Sequence, residues 1–278
     1  MYKFKYKALK LKREVNVQHA LKMIAVIFMF VFCAGCGSAS RNKPSDVLWN
    51  IVSKQCLAQG EYKNQKVNPC IHVDTKEGID AGHVVFKDRV GVLQYLLMPT
   101  ADISGMESPK LLKEDIPNYF YLSWEARLYM QRKMRDKLNP EHASLAINSQ
   151  FGRTQNHLHV HISCIKPDLK KQFDEHASEF KPTWSALPFE IRGHSYLAKK
   201  VTEKELSEMN VFKSMADEIE GAAKNMGEYG LAMVAVADKK TPEGYALVLL
   251  ASKRDAATKN RGSVEEIQDH ECRIIFPL

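Results

Sequence analysis

The sequence predicts an α+β fold built on an antiparallel sheet. Two observations carry this. Apolar runs bounded by turn formers come in adjacent pairs, and strands and helices do not alternate as parallel β-α units require. A third sets the boundary of the fold: an uncharged leader stands apart from a body of mixed composition.

Residues 1–22 form a basic flank. Lys3, Lys5, Lys7, Lys10, Lys12, Arg13 and Lys22 against Glu14 leave it at +6, so the rest of the chain holds only +1 of the total +7. A nearly neutral body has no global field for polyanions, which argues against nucleic acid as a partner. Residues 23–40 carry no charge and are mostly apolar. As a helix they rise about 27 Å, just enough to cross the hydrocarbon of a bilayer. The basic flank then stays in the cytoplasm. A single transmembrane helix is the first reading. A signal cleaved near Ala39, and a lipoprotein signal with Cys36 as the modified residue, are the alternatives. All three place the body, residues 41–278, outside the cytoplasm.

Within the body, Arg41 to Asp46 reads as a linker, and Asp46 to Val52 as a short amphipathic helix. Residues 60–80 are polar and rich in turn formers. Val84 to Arg89 and Val92 to Met98 flank Gly91, which predicts a hairpin. Apolar residues recur at helical spacing from Asn118 to Leu138, and Asn139-Pro140 ends that helix. A strand Ala143 to Asn148, a loop to Asn156 and a strand His157 to Ile165 follow. Tyr196 to Val201 predicts another strand. Thr202 with Glu205 is a capping box opening a helix toward Met226. Gly230 to Ala237 and Tyr245 to Ala251 predict a second hairpin. Ser263 and Glu266 suggest a short helix before a last strand, Arg273 to Phe276.

The body holds four cysteines, Cys56, Cys70, Cys164 and Cys272. An even number in an exported domain suggests disulfides. The favoured pairing is Cys56–Cys70, a staple on a polar stretch, with Cys164–Cys272 tying the histidine strand to the chain end. The two crossed pairings and four free thiols are the alternatives.

The chemistry concentrates in Asn148 to Ile162, which contains His157-Leu158-His159-Val160-His161. In a strand these three imidazoles share one face, with Leu158, Val160 and Ile162 on the other. A metal site fits poorly. Residues i and i+2 lie about 6.6 Å apart, so two histidines can share an ion, but the outer pair is too far apart for three. No Asp or Glu lies between Asn148 and Lys166. Phosphoryl chemistry fits better. Neutral imidazole is a good nucleophile near pH 7. An acid-free surround suits an anionic phosphate, with Arg153, Lys166 and the amides around Gly152 to stabilise it. Lys87, Asp88 and Arg89 at the hairpin are further contacts to consider. His83, His194 and His270 read as structural or surface residues.

His157 to Ile162 resembles the histidine-triad motif of nucleotide hydrolases and transferases. Val84 to Arg89, Leu93 to Thr100, Glu107 to Pro109, Ser144 to Ser149, His157 to Pro167 and Glu265 to His270 resemble, in that order, bacterial CDP-diacylglycerol pyrophosphatases. The resemblance runs from about Gln55 to the C-terminus. It implies a histidine-triad-like sheet with packed helices. It also implies hydrolysis of CDP-diacylglycerol to CMP and phosphatidate, without metal or cofactor, with water as acceptor. By resemblance His159 is the nucleophile, and His157 and His161 hold the phosphate or stabilise charge. Asn148 and Gln155 match residues on the phosphate or ribose side. The family context places the body on the periplasmic side of the inner membrane. Transfer of CMP to another acceptor, and a non-catalytic nucleotide-lipid sensor, are the competing functions.

Overall fold

The computed structural model describes residues 45–58, 60 and 65–277. The basic flank and the apolar run of residues 23–40 lie outside the described residues. Among the described residues, no helix is long and apolar enough to cross a membrane.

Among the described residues the sheet has eleven strands, and every strand pairing in it is antiparallel. In chain order they are β1 (Gln65–Val67), β2 (Cys70–Asp74), β3 (His83–Lys87), β4 (Tyr95–Pro99), β5 (Ala143–Ile147), β6 (Val160–Ile165), β7 (Ser185–Ala186), β8 (Leu197–Val201), β9 (Tyr229–Ala237), β10 (Tyr245–Lys253) and β11 (Gln268–Asp269). Their order across the sheet is β1-β2-β3-β4-β6-β5-β9-β10-β8-β7. One edge of β6 is shared. Its residues 160–162 pair with β4, and Cys164 and Ile165 pair with β11 from the chain end.

Both faces of the sheet are covered, which is why β9 and β10 read as almost unbroken apolar runs. On one face Leu97, Leu145, Val160, Ile162, Met233 and Leu249 build the main core. It packs against α2 (Tyr119–Ala126), α3 (Leu128–Met134), α5 (Glu203–Glu208) and α6 (Val211–Glu218). The other face carries two separate clusters. One gathers Ala146, Val234 and Val248 under α4 (Pro167–Glu175). The other gathers Val73, Val84, Leu96 and Met98 under α1 (Val47–Ile51) and the π-helical turn that follows it. Between these two caps the face stays open, and His161 lies there, with Leu96 and Ala146 as its cross-strand neighbours.

Both expected disulfides are present, Cys56–Cys70 and Cys164–Cys272. The hairpins β3–β4 and β9–β10 and the Thr202/Glu205 capping box also form. Three other readings need correction. The helix expected over 118–138 is two helices that meet at Arg127, whose guanidinium bonds the Trp124 carbonyl and covers its ring. The helix expected from Thr202 to Met226 is α5 and α6, because Asn210 caps a new start by accepting from Lys213 N–H. The last strand is not Arg273 to Phe276. That segment is a turn held by the bridge at Cys272 and by Arg273 on Asp269, so Gln268–Asp269 takes the sheet position instead. Strands β1 and β2 form within the polar stretch, where Cys70 is fastened to the turn after α1.

Candidate active site

The strand expected at His157 begins only at Val160. His157 to His159 form an irregular approach to it, and each imidazole is fixed differently. His159 Nδ1 lies 2.6 Å from its neighbour's carbonyl, that of His157. A carbonyl only accepts, so Nδ1 carries the proton and Nε2 keeps its lone pair. Burial pushes His159 down to about 3, the adjacent His161 adds to this, and the His157 carbonyl opposes it. The ring is therefore neutral near pH 7. The His159 and His161 rings stand edge to face, 4.8 Å apart.

His161 Nδ1 lies 3.3 Å from Glu265 Oε1 and 3.3 Å from Gln94 Nε2, and its Nε2 is buried without a hydrogen-bond partner. Burial lowers its pKa, against the pull of Glu265 and Asp88. Glu265 in turn is held by Asn148, which donates from its amide (3.0 Å) and accepts from Glu265 N–H (3.1 Å). His270 Nε2 lies 3.1 Å from Oε1 of the same acid. Burial resists ionisation of Glu265, but His161, His270 and Asn148 together outweigh it and bring its pKa to about 2. Glu265 raises His270 by the same contact. The result is a compact charge pair that leaves one nitrogen of His161 unspent.

Glycines allow this closeness. A Cβ at Gly152 would meet Ser263 Oγ at 2.5 Å and Cα at 3.1 Å, so only glycine lets the 149–156 loop lie against the segment that bears Glu265. Gly262, at φ +66°, makes the turn on the other side of that contact.

His159, His161, Glu265, Asn148 and Gln155 open on one cleft of about 370 Å³, walled by Leu48, Phe86 and Leu96 and carrying Arg89 at its edge. The other expected residues are placed elsewhere. The His157 ring is fully buried, against Trp49 and the Pro99 carbonyl, and serves the site through its own backbone. Arg153 is a loop clamp, bidentate on Glu107 at 2.5 and 2.8 Å and bonded to Asn156. Lys87 turns its ammonium to the carbonyls of Asp88 and Gly91. Lys166 bonds the Glu266 carbonyl. Gln155 lines the cleft, but its Oε1 accepts from Leu48 N–H at the start of α1.

Sequence reasoning gave no role to Glu265 or Gln94, and considered Asp88 only as a nucleotide contact at the hairpin. The stretch Asn148 to Lys166 is free of acids, yet folding delivers Glu265 and Asp88 to the same cleft. Gln94 stands 3.3 Å from His161 Nδ1 and donates to Asp88. The signal available was the segment Glu265 to His270, which the resemblance had already picked out. Among the described residues no group of three or more His, Cys, Asp and Glu is placed to hold a metal ion.

Sheltered neutral imidazoles opening on a cleft are the makings of an enzyme site. The sequence profile of the CDP-diacylglycerol pyrophosphatase family matches residues 43–275, nearly all of the body. The chain belongs to this family, and so to the hydrolases that act on phosphorus-containing anhydrides.

The imidazole environment sets an expected pH profile. Protonation of His159 removes its lone pair, so a reaction that uses this nitrogen is lost below its pKa. With that pKa near 3 rather than 6.5, kcat/KM should stay level as the pH falls through 6.5. An acid limb centred near the ordinary imidazole value, in protein still folded by circular dichroism, would show that His159 is not held as described.

Proposed function

We infer that the chain cleaves CDP-diacylglycerol through a nucleotidyl-histidine at His159. The observation that carries this is the fixed tautomer: Nδ1 is occupied by the His157 carbonyl, so Nε2 is the reactive nitrogen of a residue lining the cleft. Nε2 attacks the phosphorus that bears cytidine. A P–N bond forms, the bridging P–O bond breaks, and its electron pair leaves with phosphatidate. A phosphate leaving group is stable as an anion and needs little acid help. Water then cleaves the P–N bond and releases CMP. His161 serves from the side. Its Nε2 has no internal partner, and once the anion is bound a proton there is shared with a phosphoryl oxygen. Glu265 holds that ring from behind and supports its positive charge.

The pattern His157-x-His159-x-His161 on an antiparallel sheet supports a histidine-triad-like origin for the fold. The basic flank and the apolar run support an anchored protein whose body faces the periplasm.

The test is an acid-quenched, single-turnover reaction with CDP-diacylglycerol labelled in cytidine. Label should appear on the His159 peptide and chase into CMP. Activity should survive exhaustive chelation, because neither imidazole needs a metal to act. No labelled peptide at any time, together with inversion at phosphorus, would replace the covalent route by direct attack of water. Loss of activity with EDTA, restored by zinc or magnesium, would give the imidazoles a different role.

A further inference from the structure

Five large apolar side chains are exposed among the described residues; Ile79 and Phe276 are not in the lining of the His159 cleft, and the other three stand at or next to it. Val47 is 50% exposed, Val90 59% and Val92 50%. Val47 begins α1, and Val90 and Val92 form the tip between β3 and β4. Val47 and Val90 both line the cleft that holds His159, and Val92 stands beside them on the same tip. Scattered single exposures carry no meaning, but three that rim one opening do.

The chain path gives the rim an occupant. The apolar run ends at Ser40, and Ser45 is already part of the body. Ser45 is laced to the catalytic loop. Its N–H donates to the Thr154 carbonyl at 2.8 Å, and its carbonyl accepts from Asn156 N–H at 2.7 Å. The described chain therefore begins, at Ser45, beside the cleft mouth, five residues after the apolar run.

We propose that Val47, Val90 and Val92 form an apolar rim that inserts into the surface of a phospholipid bilayer, so that a lipid headgroup enters the cleft while its acyl chains stay in the membrane. This rests on the lipid substrate inferred above and adds the surface that meets it. Arg89 is exposed between Asp88 and Val90, and with the rim inserted its guanidinium meets the lipid phosphates. The rim needs no groove for acyl chains in the protein, and the cleft is of a size for a headgroup.

Val92 is the residue to vary, because it lies outside the cleft lining. Full-length Val92→Trp protein, reconstituted in phosphatidylcholine vesicles without substrate, should show emission beyond that of the wild type. About half or more of that added emission should be lost when the lipid is brominated in its acyl chains. Val92→Asp should lower kcat/KM about tenfold on vesicle-embedded CDP-diacylglycerol and leave a short-chain, monomeric form unaffected, with Val92→Leu restoring the loss. Equal added emission in plain and brominated vesicles overturns the proposal. So does self-association that Val92→Asp abolishes while quenching is absent, which gives the rim to a second copy of the chain. The quenching vesicles contain no substrate, so failure of the cleavage reading is seen separately, as no turnover of either lipid form.

Discussion

His159→Ala should fold normally and lose roughly four to six orders of magnitude in kcat/KM, the scale on which removal of a nucleophile is felt. The loss should fall on kcat, since the cleft keeps its walls and its remaining polar groups. His161→Ala should cost less, roughly two to three orders, because it removes charge stabilisation and not the bond-forming atom. His157→Ala should behave differently again. Its ring lies away from the cleft against Trp49 and Pro99, so its loss should lower the unfolding midpoint more than it lowers the rate. The carbonyl that orients His159 belongs to the backbone and survives the substitution. Single-turnover rates and urea midpoints on the three proteins check this ordering. A folded His159→Ala protein with near-normal turnover would end the nucleophile assignment.

The second large effect is expected at the Cys164–Cys272 bridge. It closes 108 residues, for which chain-entropy arguments give about 4–5 kcal/mol, against about 3 kcal/mol for the 14-residue loop of Cys56–Cys70. Cys164 sits on β6 opposite Asp269, and Cys272 follows in the turn after β11. The bridge thus fastens the segment carrying Glu265 and His270 to the strand carrying His161. A Cys164→Ser/Cys272→Ser protein should unfold at much lower urea and lose activity while still folded. A Cys56→Ser/Cys70→Ser protein should lose stability with a smaller change in kcat. Urea titration with parallel kinetics separates the two. Wild-type stability in the first double mutant would show that strand pairing alone holds the chain end.

What could be read from the sequence was local. The β3–β4 and β9–β10 hairpins, the Thr202/Glu205 cap and the alternation of histidines with Leu158, Val160 and Ile162 follow from neighbouring residues. The disulfide pairing was also accessible, because short and long loops make different demands. The parts that escaped depend on distance along the chain. Asn148 and Glu265 are 117 residues apart and meet only because β11 takes the free half of the β6 edge. The helix breaks at Arg127 and Asn210 escaped for another reason. Apolar spacing continues through both, and the break comes from a side chain competing for a backbone group. Arg153 and Lys87 have the charge that a phosphate contact needs, but each is spent within the protein, on Glu107 and on the hairpin carbonyls. Charge alone does not reveal such prior commitments.

The divided edge of β6 also sets a schedule. β4 has been made before β6 appears, whereas Glu265 and β11 follow β6 by about a hundred residues. A nascent body can assemble β1 to β10 with His161 in place and no acid from the 265–270 segment beside its Nδ1. The acid arrives when the chain end pairs, and it is locked in only when Cys272 is oxidised onto Cys164. Full activity is then acquired last, once that bond has formed.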